Sequence, residues 1–249
     1  MKTSNQIYTL EDRLDFIQSL ELATPESEIM AIGNSEGSAS VDAGSLMSFV
    51  NDVKGQQRSD VLNSCLLAQL AANKKYDREK DTENWYKFYS EVLQNIGWVI
   101  QDFKFSKMTY SGASFEPSAL MLLAMEALCS PSQYAVLKLA ISAIRSLSTD
   151  HRASRIFEAS THSSANGNFQ LGTCAQEGDQ VTMALGGCFF SSTKTSISIL
   201  FSNFDSAGID AYSGTQAVTL DNDIYRRVRQ AVIDKLGDNA SKYVADLDI

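Results

Sequence analysis

With 249 residues, 44% hydrophobic and 20% charged, the chain has the balance of a globular protein with a buried core. Its formal net charge of -9 argues against a broad phosphate-gripping surface, so nucleic acid is not an expected partner. No apolar run follows Lys2 before Glu11 and Asp12, and the strongest apolar stretch, 119–127, is too short to cross a bilayer as a helix. The expectation is a protein made in the cytoplasm without a signal peptide, reaching any outside target by a route its sequence does not encode.

The first predicted element is a helix opened by Thr9. Glu11 and Asp12 suit the positive end of its dipole, and Leu10, Leu14, Ile17 and Leu20 form an apolar stripe that Pro25 ends. Ile32 to Ser45 is rich in Gly and Ser and reads as a loop. Gly33, Gly37 and Gly44 lack the spacing of a phosphate-binding loop, and a short helix is expected over 46–53.

A clear helix begins at Ser59, with Val61, Leu62, Cys65 and Leu66 on a broad apolar face. A mixed-sign run over 74–83 reads as a solvated turn. Trp85, Phe88, Tyr89, Val92, Ile96 and Val99 then recur at helical steps, an aromatic stripe of core type, so the two helices are expected to pair as an antiparallel hairpin. Phe103, Phe105 and Tyr110 switch to period two and predict a strand near 102–110.

A second hairpin follows. Pro117 sits near the first turn of a helix running to about Cys129, and Ser130-Pro131 opens the next, with Tyr134, Leu137, Ile141 and Ile144. Being more apolar than the first hairpin, it is expected to be the more buried. From about Arg155 the composition turns to strands, with Ile156-Phe157 a candidate and Asn166-Gly167 a turn. Phe169–Ala175, Val181–Phe190, Thr195–Phe204 and Ile209–Thr219 read as four strands whose short turns favour a meander. Asp221 caps a closing helix with Ile224, Val228 and Val232 in its stripe, ended by Gly237; a short helix is expected from Asn239.

The predicted fold is therefore α+β: a mainly antiparallel sheet, meandering in the C-terminal half and joined by a strand near 102–110, packed against helical hairpins. One domain is expected over 1–249. Its helical part spans about 9–147, its β-rich part about 153–219 and its closing helix about 221–236.

Chemistry is thinly signalled. His151 and His162 are the only imidazoles, and no Gly-x-Ser-x-Gly turn accompanies them. Cys65, Cys129, Cys174 and Cys188 do not have zinc spacing. Cys65 and Cys129 read as buried thiols, while Cys174 and Cys188 lie on neighbouring strands where a bridge is open but disfavoured in a reducing compartment. Leu185-Gly-Gly-Cys188 suits a strand bulge with Cys188 packed inside better than an exposed nucleophile. Asp221-Asn-Asp223 lacks the glycine and closing Glu of a calcium loop. No cofactor or metal site is expected.

Arg226, Arg227 and Arg229 concentrate positive charge on the closing helix. They fit a polar helix face, with a small anion contact as the functional version. Ser191 to Thr219 is rich in Ser and Thr, and Ile197 and Ile199 alternate with Ser196 and Ser198. That pattern fits a half-solvated sheet, and also a strand touching lipid on one face and water on the other. Helical hairpins on such a sheet make a layout loosely similar to the soluble forms of some pore-forming toxins. The resulting expectation is a non-enzymatic binding protein that meets a protein partner or a lipid surface, membrane-acting in its sharpest form. The alternative is a hydrolase or transferase using His151, His162 or Cys188.

Overall fold

The computed structural model describes residues 8–24, 38–50, 52–101, 103–108, 114–163, 166–191, 201, 204–205, 211–247 and 249. Helix α1 (Leu10–Ser19) begins with a reciprocal cap: the Asp12 N–H donates to the Thr9 hydroxyl at 3.1 Å, and the Thr9 N–H to the Asp12 carboxylate at 2.8 Å. Next comes a tight hairpin, β1 (Ala39–Asp42) and β2 (Ser45–Phe49), turning through Ala43 at φ 47° and Gly44. Both expectations for this region are corrected, the loop over 38–45 and the helix over 46–53; the rest of the expected loop, 32–37, lies outside the described residues. These strands are buried on both faces, so they show no polar-apolar alternation, and their Ser and Gly content mimics a loop. A Cβ at Gly44 would collide with the Arg78 guanidinium and lie 2.9 Å from the Ser160 carbonyl. Gly44 is there for close approach, not mobility.

Helices α2 (Gly55–Lys75) and α3 (Thr82–Asn95) form the expected hairpin. The α3 stripe stops earlier than predicted. Gly97 turns the chain at φ 111°, and Trp98 and Val99 form strand β3 (Trp98–Val99). The strand expected near 102–110 is present as β4 (Ser106–Lys107), followed by β5 (Ser114–Phe115). Helix α4 (Pro117–Glu126) has Pro117 in its first turn. Helix α5 (Pro131–Ser146) opens on a capping box of Ser130 and Gln133. Ile156 and Phe157 belong to a helix, α6 (Arg152–Thr161), and not to a strand. Ala153, Ile156 and Phe157 are buried at helical spacing, and that packing outweighs the β preference of two adjacent residues. The β-rich part accordingly starts at 162.

There follow β6 (His162–Ser163), β7 (Asn166–Glu177), β8 (Gln180–Ser191), β9 (Phe204–Asp205) and β10 (Ala211–Leu220). The chain closes with α7 (Asn222–Leu236), α8 (Asn239–Tyr243) and β11 (Val244–Leu247). Asp221 caps α7, its carboxylate accepting from the Asp223 and Ile224 amides at 3.0 Å. Most of the expected strand 195–204 and the start of the one at 209 lie outside the described residues.

The main sheet runs β11-β1-β2-β7-β8-β10-β3, with β4 also on β10 and β6 on β7; β5 and β9 make a separate pair. Three of the four strands expected to meander do so as β7-β8-β10, antiparallel throughout, with β10 directly beside β8; Phe204, at the end of the expected third strand, pairs with β5 instead. Only β2 against β7 is parallel among the pairings of the described residues. Each face carries a core. One, with Cys65, Trp85, Tyr89, Cys174, Met183 and Val232, lies under α2, α3 and α7. The other, with Met121, Leu137, Phe157, Phe169, Leu171 and Phe190, lies under α4, α5 and α6.

The expected order of burial is reversed. Helix α2 buries Val61 to Leu62 and Ser64 to Ala72, wedged between sheet, α3 and α7. The more apolar α4 and α5 lie outermost. Composition records how apolar a helix is; position in the stack determines how much of it is covered.

Candidate functional site

The residues singled out for nucleophilic chemistry are not brought together. His151 is exposed, and its Nδ1 accepts from the Ala153 amide at 3.2 Å, the role of a cap at the start of α6. His162 pairs with Gly167 through the backbone; its side chain lies outside the described residues. Cys188 is fully buried, and burial pushes its thiol well above the ordinary range, so it holds little of the nucleophilic thiolate.

No bulge occurs at Gly186-Gly187. Both keep regular register with β7 and β10. A Cβ on Gly186 would lie 2.7 Å from Met121 Cε, and one on Gly187 would lie 2.5 Å from the Tyr86 hydroxyl. The glycines admit side chains from helices on the two opposite faces. Cys174 pairs with Met183, five residues before Cys188, so the two cysteines point to opposite sides of the sheet and are unbridged.

Of the three arginines of α7, Arg226 and Arg229 are engaged by carboxylates and Arg227 is exposed. Arg229 lays Nε and Nη2 on the Oδ1 and Oδ2 of buried Asp60 at 2.9 and 2.7 Å, and Arg226 reaches Asp223 at 3.0 Å. Both line a groove of about 770 Å³ whose other charged walls are Asp60, Glu177, Asp179, Asp221 and Asp223. Acids outnumber bases there, so its field favours cations. Among the described residues no group of three or more His, Cys, Asp or Glu side chains converges as a metal site.

Beneath α2 and α3 runs a buried polar strip. The Ser45 hydroxyl donates to Gln170 Oε1 at 2.7 Å, the Tyr86 hydroxyl to Asn168 Oδ1 at 3.0 Å, and Gln69 Nε2 to the Asp42 carbonyl at 3.0 Å. Arg78 is desolvated there, 4.5 Å from the Trp85 ring centre, with Nη1 donating to the Ser160 carbonyl at 2.9 Å. Burial pushes the Tyr86 phenol up to about 12. The strip holds α2 and α3 in register on the sheet, because each unmade bond there would cost a desolvated group its partner.

No protein-family model matches the chain, and no curated protein sequence matches it. Solved structures resemble it only distantly. The Evf virulence factor aligns at TM-score 0.40 and 10% identity over 89% of this chain and 88% of its own. A delta-endotoxin aligns at TM-score 0.41 and 12% identity over 81% of this chain and 90% of its own. Neither likeness is close enough to transfer a property to this chain.

A further surface feature is the outer face of α4 and α5, the hairpin expected to be the more buried. Leu123 is 66% exposed and Leu139 56%. Lys138 stands next to Leu139, its ammonium 4.9 Å from the Tyr134 ring centre, and Glu126 is the one acid on α4. Both helices are held from below. Met121 and Met125 sit over Gly186, and Gln133 and Thr173 exchange two hydrogen bonds at 3.1 Å. Arg145 pairs with Glu116 across the two helices. No helix among the described residues is long and apolar enough to cross a membrane.

Proposed function

We propose that this chain is a non-enzymatic binding protein whose α4–α5 layer docks on a lipid surface. The observation that carries the reading is the exposure of Leu123 and Leu139 on the outer faces of two adjacent helices. Apolar side chains with a flanking lysine are what an interfacial contact needs: leucine enters the acyl boundary, and the ammonium stays with anionic headgroups.

In the sharper, membrane-acting form, the layer lifts from the sheet once docked. It rests on soft methionine contacts over Gly186, which reform at low cost, and on the two Gln133–Thr173 hydrogen bonds, which lifting would break. Lifting would uncover Phe169, Leu171, Ala184 and Phe190 on strands β7 and β8, twelve residues each. A tilted strand needs about 9–11 residues to span a bilayer. The hydrolase or transferase alternative gains nothing from His151, an exposed cap, or Cys188, a buried thiol.

The test is flotation with anionic vesicles and release of an entrapped dye. The wild-type chain is expected to float with vesicles. The L123E/L139E variant is expected to stay in solution with an unchanged unfolding midpoint. A wild-type chain that neither floats nor releases dye overturns the lipid reading and leaves a protein-binding module.

A further inference from the structure

Asp42 ends β1 with its carboxyl aimed into the core beneath α2. It is 0% exposed, and neither carboxylate oxygen has a hydrogen-bond partner among the described residues. Two residues back on the same face, Ser40 donates to Asp246 at 2.6 Å, and Arg58 neutralises that carboxylate. Asp42 has no such counter-ion among the described residues.

The ionisable groups that interact with it are Cys65 on α2 and Tyr89 on α3; Cys174 on β7 neighbours Cys65, Tyr86 neighbours Tyr89, and buried Arg78 lies beyond the β1–β2 turn. The flanking strands present Ser45 and Val244, and α8 gives its Tyr243 carbonyl to the Ala43 amide. Gln69 on α2 accepts from the Gly44 amide and donates to the Asp42 carbonyl, not to its carboxyl.

We propose that Asp42 is a pH-sensitive lock on the docking of α2: the carboxyl is seated neutral when the helix is packed, and its ionisation loosens α2 from the sheet. A bare carboxylate in this pocket would carry the full desolvation cost of an unpaired buried charge, and opening α2 to water relieves it. Burial accordingly raises the Asp42 carboxyl well above the carboxylate range.

The sign follows from linkage. An acid whose folded pKa is raised binds more protons folded than unfolded. Stability is therefore full below the unfolded value of about 3.9 and falls as pH rises from there to the folded value. The lock is independent of the lipid reading, since it acts on the opposite face of the sheet from α4 and α5.

Hydrogen exchange of α2 amides in the purified chain tests it, without lipid. After correction for intrinsic exchange, wild-type protection is expected to fall as pH rises from the unfolded value of about 3.9 toward the raised folded one, by at most roughly tenfold per pH unit. In D42N, neutral and of the same shape, that slope should vanish, while the limb from the buried phenols and thiols at higher pH persists. Parallel slopes in D42N and wild type overturn the lock. Should D42N fail to fold, the wild-type Asp42 carboxyl carbon decides by NMR: unmoved by titration through pH 4 to 6, it supports the lock, and titrating near the ordinary value of about 3.9 it overturns it.

Discussion

Arg229 on α7 holds both oxygens of Asp60 on α2, Nε to Oδ1 at 2.9 Å and Nη2 to Oδ2 at 2.7 Å. The aspartate is nearly sealed from solvent and the arginine is about a third exposed, its side chain 31% accessible. The pair ties the last long helix to the most buried one. Removing Arg229 as R229M leaves Asp60 with Gln56 as its remaining side-chain donor among the described residues, at 2.9 Å. The expected loss is about 2–3 kcal/mol by urea unfolding, below the full cost for a buried pair because the arginine is partly solvated. The double variant D60N/R229M is expected to lose less than the sum of the two single changes.

Adding one methyl to each of the paired glycines separates two kinds of neighbour. At Gly187 the new Cβ meets a tyrosine hydroxyl that donates to Asn168. The expected cost of G187A is about 2–3 kcal/mol, since the ring has nowhere to turn and the bond is lost. At Gly186 the neighbours are flexible methionines, so G186A is expected to cost about 1 kcal/mol. Thermal unfolding midpoints give the order.

Thiol accessibility follows from the cores. Cys129, expected to be buried, is partly exposed just beyond the end of α4, while Cys65, Cys174 and Cys188 are buried. A water-soluble maleimide at neutral pH is expected to label Cys129 in the folded chain and the other three only in denaturant. Rapid native labelling at Cys188 would reopen its candidacy as a nucleophile.

The capping box at the start of α5 has a second duty. Gln133 accepts from the Ser130 amide at 3.0 Å and also reaches Thr173 on β7. S130A is expected to cost about 1 kcal/mol, the usual worth of a cap. Q133A is expected to cost more, because it also leaves the Thr173 carbonyl short of a buried donor. Chemical denaturation of the two variants measures the difference.

At acid pH the sign is opposite to that of Asp42. Asp12 is held below the usual carboxylate range by the Thr9 hydroxyl and amide, and Asp77 by the Lys80 side chain and backbone amides. Their contribution is present above the unfolded value of about 3.9 and is lost as pH falls through the folded one. T9V is expected to raise the Asp12 pKa toward that value, as read by NMR titration.

Much of the fold was legible because the signals were local. The caps at Thr9, Ser130 and Asp221 stand where the sequence put them, as do the α2–α3 hairpin and the β7-β8-β10 meander. The hairpin β1–β2 was not, because a strand covered on both sides loses the period-two pattern that marks a half-exposed one. Ile156 and Phe157 misled in the other direction, since two adjacent residues suit either period until their neighbours are known. The candidate site was missed outright. The hairpin that carries Leu123 and Leu139 was expected to be the more buried one, and nothing in its apolar content says that no layer lies above it.

By itself, the sequence determined what depends on neighbours a few residues away: helix ends, aromatic stripes, the two-residue turn at Gly178-Asp179 and the acid excess of the whole chain. The tertiary structure decided what depends on stacking order and parity. It set β2 beside β7 in parallel, put Cys174 and Cys188 on opposite faces, sealed the Asp42 carboxyl without a hydrogen-bond partner among the described residues and left the α4–α5 leucines outermost. Burial is a property of what lies across a gap in space, and residues that close a gap are often more than a hundred positions apart along the chain, as Asp60 and Arg229 are.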